Sequence, residues 1–429
     1  METPPGGKTR MLSVEEALER ILALVQSLPV EHVSLLDALE RTLGENICAN
    51  EDIPPFPNSA MDGYAVRAAD IISASRAQPA RLRVIGQAAA GQTPTAVVEP
   101  GTALRIMTGA PMPTGADAVV RFEDTSESLF SPMAPGDDRR RQEIEVYAPV
   151  ARGDNVRAAG EDIRAGETVL TAGSTLRPPE IGVLASLGRA RVAVHRRPRV
   201  AVLATGDELL EIEEPLRPGK IRNSNEYSTS ALVLRYGGIP VRLGIARDTV
   251  EDLTNKLRAA VDQAVDLILT SAGVSVGDYD VVKTVLGQMG QMNFWQVRMK
   301  PGKPLAVGVI AGIPLVGLPG NPVSAMVSFE QFVRPALRKM EGRRGWRKQT
   351  VWAIAEEDLE NSSGRRHYMR AIVTERDGRY WAKTTGDQGS GILTSMVSAN
   401  ALLVVPEDVR FVPKGDSVLA QMLDWPEAE

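Results

Sequence analysis

A multidomain α/β plus β fold is predicted, with a doubly wound α/β domain at its centre, and three observations predict it. Between Arg199 and Lys339, strand-like apolar runs alternate with helices, the pattern of a parallel sheet covered on both faces. Three glycine-rich turns follow such runs: TGDEL after Val200 to Ala204, SAGVSVGDYD after Leu267 to Leu269, and GLPGNPVSA after Ile313 to Val316. Short alternating runs punctuated by Gly and Pro fill Asp52 to about Gly160, which suits a separate β-rich domain. At 429 residues and 46.2 kDa the chain also exceeds what one hydrophobic core usually supports.

Taken from the N-terminus, Ser13 followed by Glu16 makes a capping box, and Val14, Leu18, Ile21, Val25 and Leu28 recur behind it at helical spacing. A second helix is predicted from a Ser34 cap to Leu43, with Gly44 as its stop. Within the β-rich stretch, Arg81 to Ile85 alternates cleanly, whereas Ser126 to Gln142 is polar, broken by two prolines, and reads as a solvated insert. AGEDIRAGETVL, after Gly160, reads as short extended pieces joined by Gly turns. The central helices are predicted over Ser228 to Tyr236, stopped by Gly237 and Gly238; over Val250 to Ala264, capped by Asp248; and over Val323 to Leu337. Beyond Gly342, Val351 to Ala355, Tyr368 to Val373 and Leu402 to Val405 predict a small terminal β domain.

Composition removes several function classes. A net charge of -5 and a pI near 5.6, with seven Phe and five Trp, supply neither the field nor the stacking surfaces of a nucleic-acid binder. Cys48 is the only cysteine, which excludes an intrachain disulfide framework and thiolate-rich metal sites, and it reads as a buried small hydrophobe. His32, His195 and His367 are too scattered for histidine-based zinc chemistry or a Ser-His-Asp triad. The N-terminus METPPGGKTR lacks the apolar core of a secretory signal and no apolar stretch is long enough to span a bilayer, so a soluble cytoplasmic protein is expected.

Loops leaving the carboxyl ends of strands in an open α/β sheet converge on one crevice. They would bring Asp207, Glu208, Asp278, Asp280, Asn321 and Ser324 together, and the KPGKP stretch adds Lys300 and Lys303. Asn321 reads as the cap of a helix whose first turn carries Pro322, leaving free amides as an anion site; an ordinary strand-to-helix turn is the alternative. SAGVSVGDYD is a close-approach loop without the lysine of a P-loop, and Asp278 or Asp280 is open to a second reading as a helix cap. Asp207 and Glu208 are adjacent, so at most one faces the crevice. Several acids beside a phosphorylated ligand repel it, a conflict that a divalent cation resolves, and magnesium fits oxygen ligands and phosphate best. The KPGKP lysines would hold an oxyanion that carboxylates cannot. Asp62, before Gly63, reads on its own as a turn residue.

NSAMDGYAVR, RIMTGAPMPTGADAVV, GEDI, TGDEL, SAGVSVGDYD, MKPGKP and GLPGNPVSA occur in the order and approximate spacing of one family. From about Ser13 to Val418 the chain resembles the molybdopterin molybdenumtransferases, the family of bacterial MoeA and the E domain of gephyrin. The resemblance implies that adenylylated molybdopterin and molybdate give molybdenum cofactor and AMP, with Mg2+ assisting. By motif it assigns Asp62, Asp162, Glu208, Asp248 and Asp280 to the acidic catalytic set, with Glu208, Asp248 and Asp280 as the metal ligands. Substrate binding falls to Arg157, to Thr205 and Gly206, to Ser271, Gly273 and Ser275, and to Pro319, Asn321 and Pro322. Lys300, Lys303 and Ser324, with Arg370 and one of Ser390 and Ser395, match what the family uses around the oxyanion.

The resemblance also implies four parts: an elongated segment built from 13–51 and 161–187, a β-rich domain over 52–160, a molybdopterin-binding α/β domain over 188–341 and a C-terminal β-barrel over 345–429. Relatives of this kind are homodimers in which the Asp62 loop completes the other subunit's site. An adenylyltransferase upstream and molybdoenzymes or chaperones downstream are the implied partners. Tungstate in place of molybdate, and a non-catalytic scaffold, are the alternatives; the presence of Asp62, Asp162, Glu208, Asp248 and Asp280 speaks against a scaffold.

Overall fold

The structure is a computed structural model that describes residues 11–129, 142–271, 285 and 287–425. Gly273, Ser275, Asp278 and Asp280 lie outside the described residues, as do positions 130–141 of the polar insert. The chain divides into two compact units: one comprises the chain up to Gly44, Gly173–Arg177 and everything from Arg191; the other comprises Glu45–Ala172 and Pro178–Ala190. Among the described residues no helix is long and apolar enough to cross a membrane.

At the centre of the first unit lies a six-stranded sheet in the order Ile239–Ala246, Arg199–Thr205, Leu267–Ser271, Ile313–Leu318, Pro304–Ile310 and Gly290–Gln296. The first four run parallel, and Pro304–Ile310 is antiparallel to both its neighbours. RVAVLAT and LILTS form strands because near-continuous apolar runs suit burial on both faces. Val200 and Val202 enter one core with Leu232, Val233 and Phe329, while Ala201 and Leu203 enter the opposite core with Leu253 and Leu257. The doubly wound α/β expectation is met.

Ser13 caps the Val14–Leu24 helix through the predicted box, its Oγ accepting from the Glu16 amide at 3.0 Å while Glu16 Oε2 accepts from the Ser13 amide at 3.0 Å. The predicted helix over 34–43 is absent. Val30–Ser34 is instead a strand antiparallel to Arg191–His195, followed by a short 3-10 turn at Leu36–Ala38, and Glu40 sits at φ +64°. A ladder to a segment far along the chain outweighs the local helical signal. Thr249, not Asp248, caps the Val250–Asp262 helix, its Oγ1 accepting from the Asp252 amide at 3.3 Å. The last predicted helix becomes Pro322–Ser328, a π-helical turn at Phe329–Val333, and Arg334–Met340.

The C-terminal strands close on themselves. Arg366–Arg376, Arg379–Thr384, Thr350–Ala355, Ser417–Met422 and Ala401–Val405 pair in that order, and the last pairs back with the first, giving a five-stranded barrel around Ala353, Met369, Ala371 and Leu403. Met299–Lys300 adds to this barrel in parallel, Lys300 opposite His367.

The second unit holds a five-stranded sheet in the order Ala118–Arg121, Gly63–Val66, Thr102–Ile106, Ala80–Ala88 and Glu143–Val146. Cys48 is exposed, contrary to expectation. Its neighbours Ile47 and Ala49 take the buried side of the Ile47–Cys48 strand, and the period of two turns Cys48 outward.

Candidate active site

Register aligns the carboxyl ends of the parallel strands. Thr205 stands opposite Ala246, Ala204 opposite Ser271, and Ser271 opposite Leu318. The segments carrying Asp207 and Glu208, Asp248, and Asn321 with Ser324 therefore leave one edge of the sheet, on either side of the end of Leu267–Ser271. Thr205 is buried there and its Oγ1 donates to the Ser271 carbonyl at 3.2 Å, tying two strand ends together.

The edge has an acidic part and a basic part. On the acidic part Asp207 and Asp248 latch two loops: the Asp207 amide donates to Asp248 Oδ2 at 3.4 Å, and the Asp248 amide donates to Asp207 Oδ1 at 3.3 Å. Glu208 is exposed and its carboxylate folds over Gly206, where any Cβ would collide with it. No group of three or more His, Cys, Asp or Glu close enough to hold a metal occurs among the described residues. Asp280, the third proposed ligand, lies outside them.

The basic part is a cavity of about 530 Å³ lined by Lys300, Lys303, Ser324, Arg365, Gln388 and Ser390, with Asp387 on its rim. Arg370 lies fully buried with Ser395; its Nε donates to Ser395 Oγ at 3.0 Å and its Nη2 to the carbonyls of Gly389 and Asp387 at 3.0 and 3.3 Å. Nη1 has no hydrogen-bond partner among the described residues. The Arg370 backbone is clamped by Gln388, whose Oε1 accepts from its amide at 2.8 Å and whose Nε2 donates to its carbonyl at 3.2 Å. Arg370 thus holds the 387–389 loop against the barrel wall, and of the two candidate serines Ser390 lines the cavity while Ser395 is buried at Arg370. Burial pulls the Arg370 guanidinium below its ordinary value. Buried His367 is held down to about 4, by burial first and then by the charges of Lys300, Arg370 and Arg365. A concentrated positive field beside a cavity suits an oxyanion.

Asn321 departs from expectation. It makes no side-chain cap; its Nδ2 donates to Ser390 Oγ at 2.9 Å, and the Val323 amide donates to the Ser390 carbonyl at 3.2 Å. The helix start is partly spent on the barrel loop, so its free amides are fewer than the sequence reading expects. Asn225 Nδ2 donates to the Gly320 carbonyl at 2.6 Å, fixing the turn between Pro319 and Pro322.

In the second unit Asp62 is exposed on the turn before Gly63–Val66, and its Oδ1 accepts from the Thr108 amide at 2.7 Å and from Thr108 Oγ1 at 2.8 Å. Those two bonds, amide first, lower its pKa. Arg157 and Asp162 line a separate cavity of about 470 Å³ with Ile53, Asn58 and Glu161. The sequence reading missed Arg365, Gln388, His367 and Thr108. Only Gln388 had a local signal, its place in the QGSG turn; the others are brought in by strand pairing across long separations.

Comparisons with known proteins cover the chain in three stretches. Residues 12–188 match the MoeA N-terminal region (domain I and II), residues 201–339 a probable molybdopterin binding domain, and residues 353–423 the MoeA C-terminal region (domain IV). A molybdopterin molybdenumtransferase of Nostoc is 36% identical over 97% of this chain and 94% of its own. Molybdopterin molybdenumtransferase 2 of Mycobacterium tuberculosis is 39% identical over 94% of this chain and 98% of its own. The crystal structure of a molybdopterin biosynthesis MoeA protein from Pyrococcus horikoshii superposes with a TM-score of 0.79 at 32% identity, covering 96% of this chain and 100% of that one.

Proposed function

The chain belongs to the MoeA family of molybdopterin molybdenumtransferases, and from that premise we propose that it converts adenylylated molybdopterin and molybdate to molybdenum cofactor, releasing AMP with the help of Mg2+. It is an enzyme, a transferase of molybdenum cofactor biosynthesis. One observation carries the finer reading: an acidic part and a cationic cavity lie on the same sheet edge. The strands bearing Glu208 and Ser324 are separated by one other strand, hence by roughly 10 Å. A substrate with a diphosphate at one end and an oxyanion acceptor at the other needs that separation of unlike charges.

The donor set fits magnesium. Glu208 and Asp248 offer hard carboxylate oxygens, and they would hold the ion together with Asp280. When bound, it supplies charge neutralisation at the phosphate oxygens. The remaining work falls to this chain's side chains. Lys300, Lys303 and Ser324 bind and orient molybdate in the cavity, Arg370 and Gln388 keep the 387–390 loop in place around it, and Asp207 and Asp248 hold the two acidic loops in register. Positioning suffices, so no protein nucleophile is needed. We further assign Asp62, Arg157 and Asp162 to a site completed by the second subunit of a homodimer.

The test is incubation of the purified protein with adenylylated molybdopterin, Mg2+ and either molybdate or tungstate, following AMP release and metal bound. Metal-dependent AMP release, abolished by Asp280→Ala, is expected. Release that needs no Mg2+ and survives Asp280→Ala overturns the mechanism, and equal turnover of both oxyanions overturns the molybdate assignment.

A further inference from the structure

A second basic cavity, of about 630 Å³, lies where no role has been assigned. Arg41, Arg196, Arg197 and Arg199 line it, with Glu31 and Asp37 as its carboxylates. Arg199 opens the Arg199–Thr205 strand and Ile239, also on the wall, opens Ile239–Ala246. The candidate active site lies at the other ends of these strands, about 20 Å away for a strand of this length. The two cavities are therefore distinct.

The arginines are not all used by the fold. Arg196 is committed to Asp266, with Nη1 donating to Oδ2 at 2.7 Å, and Arg199 donates its amide to the same oxygen at 2.8 Å. Arg41 pairs with Glu31 and donates to the His195 carbonyl at 2.8 Å, yet its side chain is only 9% exposed and its buried Nε finds no acceptor among the described residues. Arg197 is exposed and makes no hydrogen bond or ion pair among the described residues. Four guanidinium groups against Glu31, Asp37 and Asp266 leave an unneutralised positive charge, in a chain whose net charge is -5. Such clustering is costly unless an anion joins it. Guanidinium forks match phosphate oxygens in pairs. Leu36 and Leu39, 78% and 40% exposed, complete the wall with Ile239 and offer apolar surface to an organic body.

We propose that this cavity binds a phosphate-bearing small molecule, its phosphate on Arg197 and Arg41 and its organic part on Leu36, Leu39 and Ile239. The site is independent of the proposed transferase chemistry.

Calorimetric titration of the full-length protein with inorganic phosphate, pyrophosphate and AMP, at physiological salt, tests it. A binding event that Lys303→Ala, in the active-site cavity, leaves at its wild-type affinity should be weakened at least about tenfold by Arg197→Glu. Arg197 makes no hydrogen bond or ion pair among the described residues, so its replacement should not lower thermal stability. AMP binding tighter than inorganic phosphate, and weakened by Leu36→Asp, places the organic body on the apolar wall; equal affinities overturn that part and leave a site for free phosphate. The proposal fails if Lys303→Ala removes all binding, if Arg197→Glu changes nothing, or if the heat follows ionic strength alone and chloride substitutes for phosphate.

Discussion

Lys300 stands opposite His367 where Met299–Lys300 pairs in parallel with Arg366–Arg376, so an ammonium of the oxyanion cavity and a buried imidazole of the barrel share one register position. Burial comes first among the causes that hold His367 down to about 4, followed by Lys300, Arg370 and Arg365. An anion entering the cavity offsets those three charges and should raise the imidazole pKa, by about one unit or more for a dianion. Molybdate titration followed by imidazole NMR checks this, with His32 and His195 as internal references. An unmoved His367 would mean that no anion binds beside Lys300.

The same imidazole makes stability depend on pH. In the folded chain it stays neutral down to about 4, whereas in the unfolded chain it takes its proton near the ordinary imidazole value of 6.5. Its contribution is complete above the unfolded value and is lost as pH falls from 6.5 towards 4. Discounted for solvent screening, the loss is on the order of 2 kcal/mol. Urea denaturation of the wild type and of His367→Gln at pH 7 and pH 4.5 should show a smaller acid destabilisation in the variant.

Arg370 and Lys303 should fail in different ways when truncated. Arg370→Ala orphans the Asp387 carbonyl, removes one of the two bonds at the Ser395 hydroxyl and at the Gly389 carbonyl, and leaves a hole behind the cavity, a loss of about 3 kcal/mol with weakened oxyanion binding. Lys303 is only partly buried and its ammonium makes no hydrogen bond or ion pair among the described residues, so Lys303→Ala should lower molybdate affinity roughly tenfold or more while the melting temperature stays put. Thermal melts set beside equilibrium binding separate the two. A melting loss in Lys303→Ala equal to that of Arg370→Ala would contradict the assignment.

The glycine-rich turns were legible because they are local: an apolar run followed by TGDEL or GLPGNP announces a strand end whatever lies beside it. Their convergence on one edge followed from the α/β class, but the register that sets it was not legible, because Ala204 facing Ser271 and Ser271 facing Leu318 are pairings between distant segments. The same limit explains the absent helix over 34–43, where Val30–Ser34 is claimed by Arg191–His195. It explains Asn321 as well, which turns from its own helix to Ser390 of the barrel. Asp248 misled differently. It and Thr249 are both good caps one residue apart, and reciprocal bonding with Asp207 decided between them.

Gly206 offers the most direct test of the acidic part. Its φ of +141° is one that side-chain-bearing residues rarely adopt, and an added Cβ would run into the Glu208 carboxylate. Gly206→Ala therefore asks the strand end to strain, at about 1–2 kcal/mol, or Glu208 to leave its place over the turn. The sheet beneath is anchored by Thr205 and by the paired strands, so the domain should still fold. If Glu208 helps to hold magnesium, its displacement removes one of the proposed ligands, and the Mg2+ concentration for half-maximal AMP release should rise roughly tenfold. Glu208→Gln, which keeps shape but loses charge, should reproduce that rise without the loss of stability. Unaltered Mg2+ dependence in both variants would remove Glu208 from the metal site and leave Asp248 and Asp280 to account for it.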